Sequence, residues 1–109
     1  MKTHQQKVSK LLELGFSPSL VGFRAILELA EVWKPTDKIT VYYNTVGRKI
    51  GTSGSAVERC IRSAIKRTML FNNEGMKAFM GNTYNPYKGY PTVAEFMAML
   101  WFDFNEADT

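Results

Sequence analysis

The chain has 109 residues, of which 45% are hydrophobic and 22% charged, and its formal net charge is +4. This composition excludes a disordered tract and fits one modest globular domain spanning residues 1–109. One cysteine excludes a disulfide framework or a cysteine-rich zinc site, and no apolar run reaches the ~20 residues of a membrane span.

The first ten residues, MKTHQQKVSK, lack the apolar stretch of a signal peptide, so a cytoplasmic protein is expected. Val8, Leu11, Leu12 and Leu14 recur at helical spacing and predict a short amphipathic helix stopped by Gly15. Ser17-Pro18 reads as the start of a second helix, with a capping hydroxyl followed by proline at the first helical position. Leu20, Phe23, Ile26, Leu27, Ala30 and Trp33 carry that helix to Pro35, which ends it. Residues 39–43, ITVYY, are strand-like by propensity. A lone strand has no partner, so they are read as the lead-in to a third helix ending near Ile50. A fourth helix is predicted over about 53–67 and a short fifth over about 74–80. GNTYNPYKGYP then reads as a loop. Thr92 and Glu95 have capping-box spacing and open a last helix bearing Val93, Phe96, Met97, Leu100, Trp101 and Phe104. The expected fold is all-α, with about six helices, no sheet and no wing.

Charge is unevenly placed along this order. Residues 34–67 hold eight bases against two acids, a net +6, whereas residues 92–109 hold four acids and no base. A basic middle segment points to a polyanionic partner. Within it, Val46 and Ile50 lie one turn apart, Gly47 permits a close approach, Gly51 supplies a tight turn and Ser53 caps a new helix. Those offsets match two helices crossing through a short turn, a helix-turn-helix.

On a helical wheel the fourth helix splits into two faces. Val57, Cys60, Ile61, Ala64 and Ile65 form an apolar stripe, with Cys60 expected to be a small core residue. Ser55, Glu58, Arg59, Arg62, Ser63 and Lys66 gather opposite, with no large apolar residue among them. Arginine bridges the two major-groove acceptors of guanine, glutamate accepts from the cytosine amine, and serine serves bases or phosphates. Glu58, Arg59 and Arg62 are therefore candidate base contacts. Ser55, Lys49, Ser63, Lys66, Arg67 and Lys88 are candidates for phosphate or the groove wall. The same face also fits an ordinary solvated helix surface, with Glu58 and Arg62 as an i,i+4 pair. These residues alone leave both readings open.

Three segments decide between them by resemblance: LLELGFSPSLVGFRAI, SAVERCIRSAIK and PTVAEFMAM, in that order. Over about residues 8–99 the chain resembles the C-terminal effector domain of the stage zero sporulation protein A family of response regulators, whose recognition helix reads S-x-V-E-R-x-I-R. The resemblance implies a six-helix fold with its fourth helix in the major groove of double-stranded DNA. It also implies that Glu58, Arg59 and Arg62 face bases, that Ser55 lies near the groove wall, and that domains pair head to tail on tandem G·C-containing boxes. Two positions depart from the family: Ala56 stands where a basic residue is usual and Ser63 where a histidine is usual. A phospho-receiver domain normally precedes the effector domain. The 109 residues, starting at Met1, leave no room for one, so a cut piece or a stand-alone effector is expected.

The remaining features support less. Tyr84, Tyr87 and Tyr90 are read as clamping their loop to the core. The methionine and phenylalanine set is read as core filling, but the last helix is apolar almost all round. That excess suggests a surface for a partner, such as a second copy or RNA polymerase. The alternative function is therefore a receiver-less helical protein-interaction module that pairs with a full-length regulator or with RNA polymerase. His4 has no companion ligand, so no metal and no cofactor are expected. No Ser–His–Asp or Cys–His set is available, so the protein is not expected to be an enzyme.

Overall fold

The computed structural model describes residues 2–85, 87 and 89–106. Those residues fold into α1 (His4–Leu14), α2 (Val21–Val32), α3 (Tyr43–Ile50), α4 (Gly54–Phe71), α5 (Asn73–Met80) and α6 (Val93–Asn105). A 3₁₀ turn, Ile39–Tyr42, leads directly into α3, and none of the described residues is in a strand. The all-α expectation holds, and ITVYY is the lead-in it was read as. No helix among the described residues is long and apolar enough to cross a membrane.

Most helix ends follow local chemistry. Thr92 accepts from the Glu95 amide at 3.1 Å while the Glu95 carboxylate takes the Thr92 amide at 2.8 Å, the reciprocal capping box read from the sequence. A second box, Thr3 with Gln6, starts α1 at His4, one turn before the apolar pattern begins. The T-x-x-Q spacing is its sequence signal.

The start of α2 is a correction. The helix begins at Val21 with Leu20 as an N-cap lacking a side-chain hydrogen bond, rather than at Ser17-Pro18. The Leu20 amide donates to the Ser17 carbonyl at 3.2 Å, which closes a four-residue turn with Pro18 at its second position. Proline fits that position as well as a first helical turn. The Ser17 hydroxyl bonds Ser19 at 2.9 Å instead of capping a helix.

The core is assembled from one stripe of each helix. Leu11, Ile26, Val57, Ile61, Phe96 and Leu100 are all completely buried. Burial of each such side chain stabilises by about 1.5–3 kcal/mol. Lys7 is buried too, at 3% exposure, although it is charged. Its Nζ reaches Glu31 Oε1 at 2.7 Å and lies 5.6 Å from the Phe104 ring centroid, so α1 is tied to α2 and α6 by one ammonium. A buried charge is tolerated only with such partners.

Contact between α2 and α4 depends on Gly22. A Cβ there would lie 2.6 Å from the Cys60 carbonyl oxygen and 2.8 Å from Ala64 Cβ. The first obstacle is helix backbone, which cannot turn aside as a flexible side chain would. Gly22→Ala is therefore expected to destabilise by about 1–3 kcal/mol, the range of core overpacking. Urea denaturation measures this directly. A variant as stable as the parent would show that α2 and α4 can separate freely.

Candidate nucleic-acid interface

The candidate interface is built by α2, α3 and α4. Gly51 ends α3 with φ of 82°, a left-handed conformation that glycine adopts without penalty. The Thr52 amide donates to the Gly47 carbonyl at 2.8 Å, closing the turn. Ser53 caps α4 by accepting from the Ala56 amide at 3.1 Å. A Cβ on Gly47 would lie 2.6 Å from the Thr52 carbonyl oxygen, so the close approach is made by the turn itself rather than by another helix. Val46 and Val57, at 2% and 0% exposure, lock the two helices across this turn. The result is the helix-turn-helix the spacing predicted.

Helix α4 runs from Gly54 to Phe71, one turn beyond the predicted end. Its buried side comprises Val57, Ile61, Ala64, Ile65, Thr68 and Met69, together with Gly54. Ser55, Arg59, Arg62, Ser63, Lys66 and Arg67 are exposed. Because burial reaches Ile65 and Met69, the outward direction passes through Arg59, Ser63 and Lys66. Glu58 and Arg62 lie to one flank, beside α3. Cys60 corrects the sequence reading: it is only half-buried, at the edge of the stripe. It lines a groove of about 310 Å³ between α4 and the start of α2, with Arg59, Ser63 and Arg67 on the α4 wall and Val21 on the α2 wall. The opening exists because Gly22 and Ala64 contribute almost no side-chain bulk where the helices cross.

The candidate side chains differ in how they are held. Glu58 Oε1 is 3.5 Å from Arg62 Nη1, the predicted i,i+4 pair, so Arg62 is oriented by its own helix. Burial, and then the Glu58 carboxylate, raise the Tyr43 hydroxyl above its ordinary pKa of 10.0, so it stays a neutral donor at the foot of α3. Ser55 Oγ lies 3.3 Å from Ser53 Oγ, at the helix start. Lys49 is pulled to α2, its Nζ 2.8 Å from Glu28 Oε2, so its charge is largely matched. Arg59 and Arg67 make no ion pair among the described residues. Lys88 lies outside the described residues. No group of three or more His, Cys, Asp or Glu side chains that could hold a metal ion occurs among the described residues.

The tyrosines divide. Tyr84 is 8% exposed and does clamp the loop, but Tyr87 is 97% exposed and touches no core. Tyr90, at 36%, carries Lys66 Nζ over its ring at 4.6 Å from the centroid. Every-third-residue spacing in an irregular loop does not put three rings on one side, so the sequence rule could not sort them. Lys66 with Tyr90, and Lys49 with Glu28, are pairings no local pattern announces.

This arrangement presents three exposed guanidiniums, two of them without an ion pair among the described residues, on a helix docked by its opposite face. The family model described as Sporulation initiation factor Spo0A C terminal matches residues 8–103. The chain belongs to this family. Its members are DNA-binding effector domains of a sporulation regulator, a class of transcription regulator and not a catalytic one. The match covers α2 to α5, α1 from Val8 onward and all but the last two residues of α6, ending at Asp103, which takes Lys2 Nζ at 2.8 Å. Double-stranded DNA is accordingly the partner class of this domain.

Proposed function

We propose that the protein reads duplex DNA by inserting α4 into the major groove, at short G·C-containing boxes. One observation supports this most. The exposed side of α4 gathers Arg59, Lys66 and Arg67, none of which makes an ion pair among the described residues, whereas the other bases without one there, Arg24, Lys34, Lys38, Arg48 and Lys77, are scattered over α2, α3, α5 and the link between α2 and α3. A merely solvated helix gains by pairing such charges, and a phosphate- or guanine-binding face needs them free. In this reading Arg59 and Arg62 reach guanines, and Glu58 orients Arg62 or accepts from cytosine. Ser55, Ser63, Lys66 and Arg67 meet phosphate or the groove wall, and Lys49 contributes less because Glu28 holds it.

A second reading, a module that pairs through α6 with a full-length regulator, and so with a second effector domain of its own kind, or with RNA polymerase, is favoured by one residue. Phe102 on α6 is 59% exposed and stacks edge-on against half-buried Trp101 at 5.4 Å. The two readings separate in a gel-shift titration on a duplex with tandem G·C-containing boxes at two salt concentrations. Specific binding that weakens steeply with salt supports the first reading. No duplex binding, with self-association by sedimentation, supports the second. Within the first, Lys66→Ala is expected to weaken specific and scrambled duplexes alike and to reduce the salt slope by about 1. A loss confined to the specific duplex would mean that Lys66 reads a base.

A further inference from the structure

Among the described residues, three lysines sit over aromatic rings: Lys7 over Phe104, Lys10 over Phe79 and Lys66 over Tyr90. The first two also meet carboxylates. Lys7 pairs with Glu31 at 2.7 Å, and Lys10 lies 3.7 Å from Glu13 and 3.9 Å from Asp103. Those two ammonium groups are held and neutralised together. Lys66 makes no ion pair among the described residues, and at 4.6 Å its ring contact is the shortest of the three.

A ring and a carboxylate restrain lysine differently. A carboxylate cancels the charge, so a phosphate must displace it. An aromatic face attracts the ammonium through its quadrupole and leaves the net charge intact. It occupies one side of a group with three N–H donors, which leaves donors for an incoming oxygen. A lysine restrained in this way has less rotamer freedom to lose when it binds.

The backbone brings the ring to the helix. Tyr90 follows Gly89, whose φ of 81° turns the chain sharply before α6. Gly89 and Tyr90 then line a shallow groove with Lys66, Met69 and Leu70 of α4. The ring lies at the C-terminal end of the exposed α4 face, beyond Arg59 and Arg62.

We propose that Tyr90 is a positioning residue for DNA binding, its ring holding the Lys66 ammonium in place, uncancelled, for a backbone phosphate. The assignment rests on the reading of α4 as the DNA-contacting helix. Tyr90 acts through Lys66 and reads no base.

The test compares the parent with Tyr90→Phe, Tyr90→Leu, Lys66→Ala and the Tyr90→Leu/Lys66→Ala double variant. Each is titrated with a duplex carrying tandem G·C-containing boxes and with a scrambled duplex, over several salt concentrations. Tyr90→Phe keeps the ring and binds as the parent does. Tyr90→Leu loses roughly two- to five-fold on both duplexes, the range of an exposed cation–π contact. Its salt slope stays unchanged because the ammonium is still present, whereas Lys66→Ala lowers the slope by about 1. The double variant binds no more weakly than Lys66→Ala alone. In the free parent protein, ring current shifts the Lys66 methylene protons next to the ammonium upfield in NMR spectra, a reading that needs neither a variant nor DNA.

An absent upfield shift, a Tyr90→Phe loss equal to that of Tyr90→Leu, parent-like binding by Tyr90→Leu, or its full loss persisting without Lys66 would each overturn the inference. In all four outcomes parent binding survives, so the reading of α4 stands. Failure of the parent itself to bind either duplex removes that reading, and the inference with it, even if the upfield shift is present.

Discussion

The Arg59→Ala, Arg62→Ala double variant is expected to lose nearly all sequence-specific DNA binding while keeping its fold. Both guanidiniums are exposed on α4, and neither supports the core. A good bidentate arginine–guanine contact discriminates by about 1–3 kcal/mol. Two such contacts therefore discriminate by roughly 2–6 kcal/mol, or about thirty-fold to more than a thousand-fold in affinity for the cognate box. Binding to a scrambled duplex is expected to fall far less, because Lys66 and Arg67, the phosphate contacts of the proposed reading, are left in place. Fluorescence anisotropy on both duplexes at one salt concentration checks this. Equal losses on both would assign the arginines to the backbone rather than to bases. Arg62 has the smaller share to lose, since Glu58 already holds it at 3.5 Å and the pair must adjust before both acceptors of a guanine are met.

Phe96→Ala is expected to have the largest effect on stability. Phe96 is completely buried on α6, with the Phe16 ring 5.3 Å away and the Phe79 ring 5.9 Å away, centroid to centroid. Removing a buried phenylalanine ring costs about 3–5 kcal/mol, the lost transfer energy plus the cavity left behind. Domains of this size are stable by about 5–15 kcal/mol, so roughly a fifth of the total or more is at stake. Urea denaturation should show a lower midpoint at an unchanged slope. A loss below about 1 kcal/mol would mean that Phe16 and Phe79 close over the gap.

The two substitutions separate the two halves of the molecule. Phe96 lies on α6, away from the exposed arginines, so its loss reduces DNA binding only as far as it depletes the folded population. The arginine pair leaves the folded population intact and removes only recognition. Circular dichroism on both variants, beside the binding data, distinguishes these causes.

The sequence by itself determined the parts governed by neighbours in the chain. Apolar residues at three- and four-residue steps placed the helices, because a buried helix needs one continuous stripe. Thr92 with Glu95, Ser53, and Gly51 marked ends and a turn, because caps and left-handed backbone depend on residues within one turn of each other. The two-faced division of α4 was also legible, and so was the Glu58–Arg62 pair. The same local rules misjudged Ser17-Pro18, since serine then proline suits a turn as well as a helix start. They misjudged Cys60 as well, since a wheel centred on Val57 does not show where α2 stops covering α4.

Only the tertiary structure decided what meets across the chain. Gly22 fits against the Cys60 carbonyl, Glu28 takes Lys49, Glu31 and Phe104 hold Lys7, and Tyr90 lies under Lys66. Each joins residues at least 21 positions apart, a separation at which no hydrophobic period or capping offset carries information. Charge on the α4 face was readable from residue types. Which charges are free and which are cancelled was set by the helices packed beside them.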